Sequence, residues 1–72
     1  MSEFNYHIAK HIATIKENKG YTLEINLIDY GRGELKYDIR RWDKRMEVPK
    51  MLKGITLTAE EYNLLQDHFK GE

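Results

Sequence analysis

At 72 residues the chain has room for one domain, and a domain this small buries only about 60% of the surface its unfolded chain exposes. It contains no cysteine, which rules out disulfides and thiolate metal sites as reinforcement and leaves association of two copies as the expected remedy. Lysine and arginine balance aspartate and glutamate to a net charge of zero, and no apolar run approaches the roughly 18 residues of a membrane helix.

A single domain over residues 1–72, ordered from about 4 to 70, is expected, with no cofactor and no membrane contact. The start, MSEFNYHIAKH, lacks a basic region followed by an apolar stretch, so it reads as mature sequence. A cytoplasmic protein follows, nucleoid-associated if bacterial.

Residues 4–16 fit a strand or a helix. Phe4, Tyr6, Ile8 and Ile12 share one parity, with Asn5, His7 and His11 on the other, which favours a half-buried strand; Ile8, Ile12 and Ile15 also fit helical spacing. Glu17 to Gly20 is a turn with glycine at a left-handed position. Tyr21, Leu23, Ile25 and Leu27 then alternate with Thr22, Glu24 and Asn26, a strand period. The adjacent Leu27 and Ile28 suggest a bulge or a strand that becomes two-sided there.

Gly31-Arg32-Gly33 makes a second hairpin turn. Leu35, Tyr37 and Ile39 line one face of a third strand, with Lys36, Asp38, Arg40 and Trp42 on the other. Residues 43–50 are charged, contain Pro49 and read as a loop. A short fourth strand is expected at Ile55 to Leu57.

Thr58-Ala59-Glu60-Glu61 has the spacing of a capping box, and Leu57 with Tyr62 that of a hydrophobic staple. Tyr62, Leu65 and Phe69 recur at helical spacing until Gly71. The expected fold is α+β: a four-stranded antiparallel curved sheet followed by a C-terminal helix, paired into a homodimer. Leu23, Ile25, Leu27, Tyr37, Ile39, Ile55 and Leu57 would face the helix. The opposite face, carrying Glu24, Asn26, Tyr30, Lys36, Arg40 and Trp42, would meet solvent, a subunit or a ligand.

An enzyme is not expected. Ser2 and the threonines have no evident base beside them, and the carboxylates look scattered. His7 and His11 on a strand would lie about 13 Å apart, too far for one ion, so no metal site is expected. Gly31-Arg32-Gly33 precedes a strand, whereas a phosphate loop opens a helix.

Binding fits better. Residues 31–53 hold eight basic residues against four acids, giving one basic surface on a chain that is otherwise acidic. Tyr30 and Trp42 offer rings on which unpaired bases stack, and Arg40 and Lys36 offer charge for phosphates. For either aromatic alone a place in the core or at a dimer contact is the commoner role; the grouping with basic neighbours tips the reading to binding.

The run Lys36-Tyr37-Asp38-Ile39-Arg40-Arg41-Trp42, a basic loop, then Lys53-Gly54-Ile55-Thr56-Leu57-Thr58 and an acidic helix start resembles the positive cofactor four family. These are transcriptional coactivators that bind single-stranded DNA. The bacterial YdbC branch also shares Lys19-Gly20 followed by Leu23-Glu24-Ile25-Asn26-Leu27. The resemblance covers about residues 8–69 and implies a twofold dimer with single-stranded DNA running across both sheets. It carries the family's stacking aromatic onto Tyr30, its strand arginine onto Arg40, its tryptophan at or beside Trp42 and its basic residue before glycine onto Lys53. The family's basic pair before that glycine is Leu52-Lys53 here, relatives often have tryptophan at the position of Tyr30, and the loop before Lys53 differs in length.

The expected function is therefore sequence-tolerant binding of single-stranded DNA in transcription, replication or repair. The expected site is Tyr30, Arg32, Lys36, Arg40, Trp42, Arg45, Lys50 and Lys53. The alternatives are a protein-interaction module using the same aromatic face, single-stranded RNA binding, which uses the same physics, and, more distantly, a small metal-dependent nuclease. RNA or transcription and replication proteins are further candidate partners. Lys53 shares parity with Ile55 and Leu57, so a twist or bulge near Gly54 is needed to turn it outward.

Overall fold

The computed structural model describes residues 6–31 and 33–70. Phe4, Asn5, Arg32 and Gly71, invoked above, lie outside the described residues. Four strands, β1 (His7–Asn18), β2 (Tyr21–Asp29), β3 (Leu35–Asp43) and β4 (Lys50–Leu57), precede one helix, α1 (Ala59–Lys70). The sheet is antiparallel throughout, in the order β1-β2-β3-β4. This is the expected α+β arrangement.

The first hairpin closes in two residues because Lys19 and Gly20 both take left-handed dihedrals, with φ of 53° and 88°, the geometry that matches strand twist. β1 slips register against β2 at three places, between Ile8 and Lys10, His11 and Ala13, and Thr14 and Lys16. Each slip inserts an unpaired residue and bends the strand. β2 carries no slip: its pairing with β3 runs unbroken from Tyr21 to Asp29. At Leu27-Ile28 the strand carries no bulge and is instead two-sided, with Ile28 fully buried on the face opposite Leu27.

β4 is longer than expected and starts directly after Pro49, at Lys50. A proline at the strand's threshold removes no ladder bond, so it delimits the strand without shortening it. The β3–β4 ladder slips once: Arg40 faces Gly54 and Trp42 faces Met51, which sets Leu52 and Lys53 against Arg41 alone. This is the irregularity expected beside Gly54, and Lys53 is exposed there. Gly54 itself is required by close approach, since a Cβ there would overlap the Cβ of Arg40 and come within 2.6 Å of the Ile39 carbonyl oxygen.

The capping box forms as its spacing implied. The Glu61 backbone N–H donates to Thr58 Oγ1 at 3.1 Å, and Glu61 Oε1 accepts from the Thr58 N–H at 2.9 Å. The helix reaches the sheet through Tyr62, whose ring stacks on Tyr37 with centroids 3.9 Å apart and planes within 4°. That contact places α1 on the odd-numbered face of β3, as expected.

The distribution of burial corrects the sequence reading. On the helix side Leu23, Ile25, Leu27, Tyr37, Ile39 and Leu57 are only half-buried, and Ile55 is exposed. Apart from Asp43, the buried side chains lie on the other face: Thr22, Glu24, Asn26, Ile28, Asp38 and Trp42. No helix covers them. The slips bend β1, and Tyr6, just before that strand, packs against Trp42 on this face.

Candidate nucleic-acid interface

Because strand neighbours alternate, antiparallel register puts Thr22 beside Trp42, Glu24 beside Arg40, and Asn26 beside Asp38. Apolar residues on such a face would pack by contact; polar ones must find hydrogen bonds or pay for desolvation. They do so in two networks.

The first centres on Asp38, which has no exposed surface. Arg40 grips it with two parallel bonds, Nε to Oδ1 and Nη2 to Oδ2, both 2.8 Å, the fork geometry that guanidinium and carboxylate share. A third bond runs from Arg40 Nη1 to the Leu52 carbonyl at 2.9 Å, across the β3–β4 slip. Tyr30 donates its hydroxyl to Asp38 Oδ2 at 3.1 Å. The Asp38 carboxylate holds the Arg40 guanidinium above its ordinary value against the opposing effect of burial. Burial, together with the Asp38 charge, raises the Tyr30 phenol.

The second network centres on Glu24. Its carboxylate accepts from Thr22 Oγ1 at 2.7 Å and Asn26 Nδ2 at 3.2 Å, and pairs with Lys44 Nζ at 2.5 Å. Burial acts to raise this carboxyl, but the bonds from Lys44, Thr22 and Asn26 outweigh it, leaving the group below its ordinary range. Since Asn26 points its amide nitrogen at Glu24, its oxygen faces His11 and accepts from Nδ1 at 2.7 Å. The other ring nitrogen of His11 lies 3.0 Å from Thr14 Oγ1.

These contacts change the standing of three expected site residues. Trp42 is 2% exposed, packed edge-on against Tyr6 with centroids 6.1 Å apart. It is a core residue, and it offers no open face for a base. Its indole Nε1 is buried without a hydrogen-bond partner. Arg40 is committed to Asp38 and Leu52 instead of standing free for phosphate. Arg45 is likewise engaged: it donates Nε and Nη2 to Asp43 at 2.9 and 3.0 Å and lies over the Tyr21 ring, 4.7 Å from its centroid. The Arg45 side-chain bonds, helped by its backbone N–H, hold Asp43 down at about 2.

Tyr30 and Lys36 keep part of their surface open, both half-buried. With Glu34 and Thr56 they line an open cleft of about 420 Å³. Lys36 pairs with Ile28 and Thr56 with Asp38, so the cleft opens on the face that the helix leaves free. Lys50 and Lys53 are exposed on β4. Arg32 lies outside the described residues.

The sequence reading missed Asp38, Glu24, Asn26, His11 and Lys44 as members of the site. The signal was present in the polar alternation at 22, 24 and 26 opposite 38 and 40. Alternation assigns that face to solvent, a subunit or a ligand, because it identifies a face and does not reveal whether curvature closes it. Among the described residues no cluster of His, Cys, Asp and Glu is arranged to hold a metal ion, and no helix is long and apolar enough to cross a membrane.

No protein-family model matches the chain. The chain is 35% identical over 66 residues to an uncharacterized protein of Treponema pallidum (strain Nichols), a match covering 90% of this chain and 75% of that protein. The two belong to one family.

Proposed function

We propose that this member of the family it shares with the Treponema pallidum protein is a non-enzymatic module that binds single-stranded DNA with little sequence preference, as a homodimer, in the cytoplasm. The observation that carries the reading is the cleft lined by Tyr30, Lys36, Glu34 and Thr56 on the helix-free face. An aromatic ring, an ammonium and a hydroxyl in one open groove match the base, phosphate and sugar of an unpaired nucleotide. A stacked base contributes about 1–3 kcal/mol, and duplex DNA hides those faces.

In this reading Tyr30 stacks and Lys36 meets the adjacent phosphate, while Lys53, exposed on β4, adds positive charge. Arg40 and Asp38 act one step back, by fixing the Tyr30 hydroxyl. Trp42 supports the sheet from inside. The resemblance to the positive cofactor four family supports the same placement at Tyr30, Arg40 and Lys53.

The dimer covers the other face. No residue of α1 is buried, and Ile55, Leu64 and Phe69 are 56%, 54% and 73% exposed. Exposed apolar side chains of this kind on β4 and α1 in so short a chain are stabilised by a second copy.

A titration of labelled oligo-dT at two salt concentrations, beside duplex of equal length, tests the function. The expected result is preference for the single strand, with log affinity falling by about 0.7 per log unit of salt for each phosphate neutralised. Equal binding to duplex, or a flat salt response, overturns it. Competition with oligo-U decides between DNA and RNA, because a 2′-hydroxyl contact would favour the latter.

A further inference from the structure

We propose that Glu34 reads the edge of the base lying on Tyr30 and gives that one position of the bound strand a preference for guanine. The inference rests on the binding reading above and adds a selectivity that a purely stacking site lacks.

A carboxylate is out of place in a groove for a polyanion. It repels phosphates, and a site built only for backbone and base faces gains nothing from it. Yet Glu34 lines the same cleft as the Tyr30 ring and the Lys36 ammonium. Among the described residues it takes part in none of the ion pairs, and it is exposed.

Its placement is built by the turn. Gly31 and Gly33 both take left-handed dihedrals, φ 88° and 74°, which a side chain would resist. The Gly31 N–H is tied to Asp29 Oδ1 at 2.7 Å. The chain thereby doubles back so that residue 34 shares a cleft with residue 30. Tyr30 is itself anchored through its hydroxyl to Asp38, so the ring and the carboxylate are both placed by the β2–β3 connection.

An ionised carboxylate only accepts hydrogen bonds, through two oxygens side by side. A base stacked on Tyr30 presents its Watson–Crick edge to the cleft wall. Guanine alone offers two adjacent N–H donors there, N1–H and N2–H, which match both oxygens in a charge-assisted pair. Cytosine and adenine offer one amine beside a ring nitrogen acceptor, which faces the second oxygen unfavourably. Thymine offers one N–H between two carbonyls and fits worst. Lys36 on the same cleft balances the carboxylate toward the phosphate.

The test uses four labelled 12-mers, all-dT and dT carrying one central dG, dA or dC, bound to the full chain and to Glu34→Gln. Because Glu34 is exposed, the variant keeps its fold, which its circular dichroism checks. The expected result is roughly fivefold tighter binding of the dG oligonucleotide than of all-dT by the unmodified chain. Glu34→Gln brings the ratio of dG to all-dT affinity toward one, because the amide offers one acceptor beside a donor where guanine presents two donors. Equal affinity of the unmodified chain for all four, with binding retained, overturns the guanine preference and leaves the binding function standing. A dG preference that survives in Glu34→Gln overturns the role of Glu34. Failure of every oligonucleotide to bind overturns the binding function, and this inference with it.

Discussion

The Arg40 guanidinium and the Asp38 carboxylate, two residues apart on one face of β3, are joined by two parallel hydrogen bonds of 2.8 Å. Arg40 is the conspicuous cation of the strand, yet its charge is spent inside the protein. The pair ties β3 to β4 through Leu52 and orients Tyr30, so the cleft beside Tyr30 and Lys36 rests on an internal salt bridge.

Asp38→Ala removes the acceptor and leaves a guanidinium, 15% exposed, without its counter-charge. Breaking a buried pair from one side costs about 3 kcal/mol or more. Urea denaturation should therefore show a clear fall in midpoint. A change below about 1 kcal/mol would mean that Arg40 escapes to solvent at little cost.

Tyr30→Phe keeps the ring and loses the bond to Asp38, while Tyr30→Ala loses both. The first should lower stability by about 1 kcal/mol with little effect on oligo-dT affinity. The second should weaken binding by roughly tenfold or more, as the loss of one stacked base implies. Equal affinities for the Ala and Phe variants would take Tyr30 out of the binding surface.

Trp42 behaves as core. Trp42→Ala should cost about 3–5 kcal/mol, enough to unfold a domain of this size. Trp42→Phe removes the buried N–H that has no partner, and this relief offsets part of the lost packing. Its stability should stay within about 1–2 kcal/mol of the parent, with oligo-dT affinity unchanged. Lost affinity in a stably folded Phe variant would show that the indole reaches the ligand.

Gly54→Ala should disrupt the β3–β4 ladder. The added carbon meets the Arg40 Cβ and the Ile39 carbonyl, and backbone of this kind gives way only by strand separation. Destabilisation of about 3 kcal/mol is expected in thermal unfolding. Gly31, where a Cβ would meet nothing within 4 Å, should give a smaller effect that comes from its dihedral alone.

Asp43 sets an acid limit. Its carboxyl sits at about 2 against an ordinary 3.8, because Arg45 donates to it. The folded state thus binds this proton more weakly than the unfolded one, so the pair adds stability above pH 3.8. That contribution fades as pH falls toward 2. The melting temperatures of the parent and Asp43→Asn should differ by a constant amount above about pH 5 and converge by about pH 2. A gap that persists at pH 2 would assign the effect of the substitution to something other than charge.

Local order was legible without coordinates. Alternation at 21–27 marked β2, the Lys19-Gly20 pair marked its hairpin, and Thr58 with Glu61 marked the first turn of α1. All three depend on neighbours within a few residues, and their physics is complete at that range. The site was legible only in part: Tyr30 and Lys36 share an open groove, whereas Trp42 and Arg40 are turned to internal use.

What alternation cannot supply is the side toward which a sheet bends. Register slips in β1 and between β3 and β4 depend on how two neighbouring strands pair, which the period of either strand alone does not encode. They close the polar face over Glu24, Asn26 and Asp38. The amino-acid order therefore determined which residues share a face, while tertiary curvature decided which face is inside. Buried carboxylates can survive there because the same fold brings Arg40, Lys44 and the Tyr30 hydroxyl within hydrogen-bonding distance.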